Sequence, residues 1–103
     1  MQKKYDKWII SDEIHADLTR VGVTHTPLLK LAPDYSDRII VCTAPSKTFN
    51  LAGLIHSHVI IFDGKLMEKY DCYIKGIGSP EVNLMGITGM GAAFRGGRSG
   101  FRM

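Results

Sequence analysis

An aspartate and a lysine in this sequence are spaced so that both could act on one ligand. Asp12 closes the apolar run that starts at Trp8, and Lys47 comes 35 positions later, just after the apolar run 39–42. That separation is the length of a strand, a crossover connection and a second parallel strand. Both side chains would then leave neighbouring strands at the carboxyl end of a sheet, where open α/β sheets bind ligands.

The chemistry open to such a pair is specific. A lysine amine forms an imine with an aldehyde, and a carboxylate keeps a pyridinium nitrogen protonated so that the ring accepts electrons. An aspartate at a strand end is also a common turn or helix-cap residue, and a single lysine is usually solvated. Spacing alone therefore leaves the functional and the structural interpretations of Asp12 and Lys47 open.

The apolar pattern predicts three short strands and several helices. The strands are expected at 8–12, 39–42 and 55–62, and the helices at 27–31, 65–74 and 81–94. Thr26 would cap the first helix with Pro27 at its first position, and Asp63-Gly64 would form a turn. The first two strands would be parallel and need cover on both faces, which so little helix cannot supply. The sequence therefore predicts an α/β unit that is incomplete as an isolated domain.

Composition and charge narrow the class of protein. The 103 residues are 45% hydrophobic and 22% charged, which is typical of one globular domain. The net charge of +3 comes from three arginines near the end of the chain, Arg95, Arg98 and Arg102. Without them 10 basic side chains face 10 acidic ones (13 − 3 against 10). We therefore expect no nucleic-acid partner and divide the chain into a domain at 1–94 and a divergent basic tail at 95–103.

The cellular context is predicted from what the sequence lacks. Cys42 and Cys72 are too few and too far apart for a disulfide framework. No signal peptide is evident, and the longest apolar run, 59–62, is far too short to span a bilayer. A cytoplasmic location without membrane contact is expected.

Three segments closely resemble signature segments of a known enzyme family. Residues 11–18 (SDEIHADL) and 44–54 (APSKTFNLAGL) resemble those of fold-type I pyridoxal-phosphate enzymes, the class I/II aminotransferase superfamily. Both segments are similar in amino-acid sequence to the cystathionine β-lyase branch of that superfamily, the cysteine C–S lyases. Residues 75–83 (KGIGSPEVN) also resemble that branch. The resemblance covers roughly 3–94. It implies an internal fragment of the large cofactor-binding domain, from a homodimeric enzyme several times longer that acts on a small amino acid.

The resemblance also implies roles for four residues and a reaction. Lys47 would hold pyridoxal 5'-phosphate as a Schiff base and later move the substrate's α-proton. Asp12 would pair with the pyridinium nitrogen, His15 would donate to the cofactor's 3-oxygen, and Ser46 would bind its phosphate. The implied reaction is C–S β-elimination giving a thiol, pyruvate and ammonia. An aminotransferase of the same class, or a non-catalytic remnant, are the alternatives.

Two residues of this chain differ from those of many relatives, and one pair of histidines could form a metal site instead. Many relatives carry an arginine where this chain has Ile55 and a serine where it has Ala44, so phosphate binding would rely on few groups. His56-Ser57-His58 could hold a metal ion between two imidazoles on one strand face. Because no third ligand is near them in sequence, we expect two partly exposed histidines and no metal site.

Overall fold

The computed structural model describes residues 7–79, 81 and 83–96 and has the expected α/β class. Its strands are β1 (Ile9–Asp12), β2 (Ile39–Thr43) and β3 (His58–Ile61). Its α-helices are α1 (Leu28–Leu31), α2 (Pro45–Thr48), α3 (Gly64–Gly76) and α4 (Leu84–Gly96). Two 3-10 helices span Pro33–Arg38 and Ala52–Leu54. None of the helices in this described part of the chain is both long and apolar enough to cross a membrane.

The three strands form one sheet in the order β1-β2-β3. Strands β1 and β2 are parallel, with Ile9 opposite Ile39 and Asp12 opposite Cys42, which confirms the predicted pair. Strand β3 runs antiparallel to β2, so that His58 lies opposite Thr43. The connection between these two strands consists of short helical turns and returns the chain at the same end of the sheet.

The two faces of the sheet are covered unequally. Side chains alternate between the faces, and Ile39 and Val41 on one face are only 1% and 5% exposed. On the opposite face Ile10, which pairs with Ile40, is 69% exposed. Apolar strand residues thus stay in contact with solvent, which agrees with the expectation that the chain cannot cover its own sheet.

Three expected element boundaries are wrong for local reasons. Asp63 caps α3 instead of making a free turn, because its Oδ1 accepts a hydrogen bond from the amide of Leu66 at 2.7 Å. Pro27, not Thr26, is the residue before α1. The third strand begins only at His58 because the backbone of Ile55 is left-handed, with φ 47° and ψ 60°.

The last helix starts later than predicted and runs further. The Oδ1 of Asn83 accepts a hydrogen bond from the amide of Gly86 at 2.6 Å, so α4 begins at Leu84 instead of residue 81. It continues through Gly96, two residues beyond the predicted domain boundary. The rest of the predicted tail, 97–103, lies outside the described residues, and the boundary stays a prediction.

Candidate functional site

Asp12 and Lys47 follow the carboxyl ends of neighbouring parallel strands. Asp12 is the last residue of β1, and the amide of Glu13 donates to the carbonyl oxygen of Cys42 at 2.8 Å, which extends the pairing by one residue. Strand β2 ends at Thr43, and Lys47 is the third residue of α2. The topology expected from the sequence therefore brings these two segments to one end of the sheet.

A side-chain hydrogen bond joins the two segments. The hydroxyl of Thr48, next to Lys47, donates to Oδ2 of Asp17 at 2.9 Å. Asp17 belongs to the turn that follows β1. Sequence reasoning missed this contact, because the two residues lie 31 positions apart.

The turn after β1 fixes the backbone around Asp12 and His15. Oδ1 of Asp12 accepts a hydrogen bond from the amide of Ile14 at 3.2 Å, and the carbonyl of His15 accepts from the amide of Leu18 at 3.0 Å. Both side chains are exposed. Within the described residues Oδ2 of Asp12 and the ring of His15 have no hydrogen-bond partner, so both remain available to a ligand.

Lys47 is presented by a short helix with a buried start. Pro45 at the first position sets the helical φ, and its ring is buried beside Ala44. The amides of Phe49 and Leu51 then close the turn on the carbonyls of Pro45 and Ser46, each at 2.9 Å. Lys47 itself is exposed, and in the described part of the chain its amine has no ion pair or hydrogen bond.

The loop after Lys47 is held by α4. The rings of Phe49 and Phe94 meet edge to face with centroids 5.7 Å apart. Nδ2 of Asn83 donates to the carbonyl of Leu54 at 2.8 Å. The last helix therefore fixes the segment that carries the lysine, although it lies more than 35 residues further along the chain.

A partly buried carboxylate beside Asp12, that of Glu13, was missed by sequence reasoning. Glu13 is 10% exposed, and its oxygens accept hydrogen bonds from the amide of Leu28 at 3.0 Å and the hydroxyl of Ser11 at 3.1 Å, while the ring of His25 lies 3.1 Å away. Burial raises the pKa of this carboxyl, but the Leu28, His25 and Ser11 hydrogen bonds and the His25 charge together hold it below its ordinary value. Glu13 thus ties the end of β1 to α1.

Known proteins share this fold and part of this sequence. No protein-family profile matches the chain. It is 41% identical over 86 residues to cystathionine beta-lyase PatB of Bacillus subtilis strain 168, which covers 84% of this chain and 22% of PatB. A PLP-bound C–S lyase from Staphylococcus hominis superposes with a TM-score of 0.82 and 38% identity, over 93% of this chain and 23% of the lyase.

Cystalysin from Treponema denticola, which contains pyridoxal 5'-phosphate, gives a TM-score of 0.88 at 30% identity over 95% of this chain and 25% of cystalysin. The chain is similar, in sequence and in fold, to one part of pyridoxal-phosphate-dependent C–S lyases and aminotransferases. It spans about a quarter of the length of these relatives. The resemblance stated from the sequence, and the fold-type I architecture it implied, are confirmed.

The exposed groups fit the cofactor of this family, though unevenly. The free amine of Lys47 suits an aldehyde, and the unpartnered Oδ2 of Asp12 suits a ring N–H. The phosphate has less support. Ser46 offers one half-buried hydroxyl, while Ile55, at the position where many relatives carry arginine, is 85% exposed and cannot donate a hydrogen bond from its side chain.

Proposed function

We propose that this chain carries the cofactor-attachment segment of a pyridoxal-phosphate-dependent lyase that cleaves the C–S bond of a cysteine-derived amino acid such as cystathionine. The observation that supports this is the placement of Asp12 and Lys47 after adjacent parallel strands, with the Thr48–Asp17 hydrogen bond joining their segments. The relatives are C–S lyases and aminotransferases of the same cofactor class.

Four side chains have proposed roles in binding the cofactor or moving a proton. Lys47 would hold the cofactor through Nζ, and the same atom would take the α-proton of the substrate. Asp12, oriented by the Ile14 amide, accepts the ring N–H through Oδ2. His15 donates to the 3-oxygen and Ser46 to the phosphate. The bound cofactor supplies an electron sink for the charge left by that proton.

The reaction then follows from the leaving group. The electron pair of the C–S bond leaves with sulfur, which takes up a proton and departs as a thiol. Hydrolysis of the remaining three-carbon unit consumes one water and gives pyruvate and ammonia. Homodimerisation and a cytoplasmic location, both expected for the full-length family, stay predictions.

Two alternatives have their own support. An aminotransferase would use the same Lys47 and Asp12, because its first proton transfer is the same. A non-catalytic remnant is supported by the uncovered sheet face, where Ile10 is 69% and the neighbouring Trp8 49% exposed. Because that face is open to solvent, the sheet supports a ligand at the carboxyl end of its parallel strands less firmly.

Product analysis separates these three possibilities. The chain is incubated with pyridoxal phosphate and cystathionine, and thiol, pyruvate and sulfur-containing keto acid are measured. We expect equal amounts of thiol and pyruvate, formed slowly, none from Lys47→Ala and an unchanged rate from Lys65→Ala, since Lys65 is an exposed lysine on α3. A keto acid that retains sulfur would indicate the aminotransferase. Cofactor held on Lys47 with neither product would indicate the remnant.

A further inference from the structure

Two histidines just before and at the start of β3 face each other across a short gap. Nε2 of His56 lies 3.3 Å from Nε2 of His58. Their rings meet at 80° with centroids 4.9 Å apart. Both residues are half-buried, whereas Ser57 between them is exposed. The two ring nitrogens are therefore close enough to contact one bound ion.

The separation of the two nitrogens matches a metal chelate. Zinc is bound by imidazole at about 2.0–2.1 Å with tetrahedral geometry, which places two nitrogen ligands about 3.3–3.4 Å apart. The geometry points to a site for a divalent ion that prefers imidazole, zinc above all, held by Nε2 of His56 and Nε2 of His58. Nothing in the proposed lyase chemistry uses these two residues.

His56 opens onto a groove that can supply water ligands. The groove has a volume of about 520 Å³, and its polar lining includes Ser57, Tyr70, Ser79, Glu81 and Asn83. Within the described residues no group of three or more His, Cys, Asp or Glu side chains could hold a metal. The remaining coordination positions are therefore filled by water, which makes this an open, two-histidine site.

Nδ1 of His56 weakens the proposed site. That atom is buried and has no hydrogen-bond partner in the described part of the chain, which makes the site weaker than one with a satisfied second nitrogen.

Zinc titration of the full 103-residue chain without pyridoxal phosphate tests the site. Binding is followed by competition with a chromophoric chelator. We expect one equivalent of Zn²⁺ in the wild-type chain and an affinity lower by about tenfold or more in His56→Gln and in His58→Gln, because loss of a ligand costs at least as much as loss of its supporting contacts. His15→Gln and Cys72→Ser are the controls, and both should bind zinc as the wild type does.

A measurement on the wild-type chain avoids any dependence on how the variants fold. X-ray absorption of the zinc-loaded chain should show nitrogen and oxygen neighbours at about 2.0–2.1 Å, including two imidazoles, and no sulfur at about 2.3 Å. A sulfur neighbour, absence of saturable binding, or equal loss of affinity in His15→Gln would overturn the proposal. Because no cofactor is present, none of these results bears on the role of Lys47.

Discussion

The close approach of α4 to the loop after Lys47 makes Gly86 sensitive to a single added methyl group. Gly86 is buried, and a Cβ built on it would lie 3.0 Å from the carbonyl oxygen of Leu54 and 3.2 Å from Nδ2 of Asn83. These two atoms already share a hydrogen bond at 2.8 Å. In Gly86→Ala the helix and the loop must therefore move apart, or the Asn83 contacts must break.

The expected magnitude follows from two opposing terms. Alanine gains up to about 1 kcal/mol of helix propensity over glycine, and less than that in the first turn of α4. Overpacking against a backbone atom costs about 1–3 kcal/mol, and the loss of an Asn83 hydrogen bond adds about 1 kcal/mol. The steric term wins, so Gly86→Ala should lower the free energy of unfolding by about 1–4 kcal/mol.

Gly91 in the same helix provides the matched control. A Cβ there would meet only the end of the flexible Arg95 side chain, at 3.2 Å. Gly91→Ala should therefore raise stability by up to about 1 kcal/mol. Urea unfolding of both variants, followed by far-ultraviolet circular dichroism, measures the difference. A Gly86→Ala chain as stable as Gly91→Ala would refute the close packing of α4 on this loop.

Three further predictions concern the turns around the site. Ile55→Asn should raise the free energy of unfolding by about 1 kcal/mol, because asparagine tolerates the left-handed backbone that isoleucine does not. The control is Val21→Asn, at a 99% exposed position without positive φ, which should leave the urea midpoint unchanged. Thr48→Val should cost about 0.5–1 kcal/mol and weaken cofactor loading, because it removes the hydrogen bond to Asp17; unchanged loading would show that this bond does not position Lys47. Because the pKa of Glu13 is lower in the folded chain than its ordinary value of 4.5, ionised Glu13 stabilises the fold at pH values above 4.5. This stabilisation is lost as the pH falls through the pKa of the folded state. Glu13→Gln should therefore lose less stability than the wild type between neutral pH and about pH 3, as measured by urea midpoints.

The sheet was predictable from sequence because its signals are local. The apolar runs before Asp12 and around Val41 are short, uninterrupted and followed by polar or proline residues, and β1 and β2 have the predicted parallel arrangement. The start of β3 was missed because apolar pattern does not report backbone handedness. Ile55 continues the apolar character of the strand while its positive φ turns the chain away from it.

The contacts that hold the candidate site were not predictable in the same way. Asp12 and Lys47 stood out because their residue types suit one chemistry and their segments resemble a known family. Glu13 bonds to His25 over 12 positions and Thr48 to Asp17 over 31. Such pairs depend on how turns fold back, and neither partner carries a compositional or periodic signal.

Covalent trapping tests directly whether Lys47 binds pyridoxal phosphate as a Schiff base. The chain is incubated with pyridoxal phosphate and reduced with borohydride, and the modified peptide is identified by mass spectrometry. We expect stoichiometric labelling confined to Lys47 and its loss in Lys47→Ala. Labelling spread evenly over Lys47 and other exposed lysines, such as Lys65 and Lys69, would contradict it.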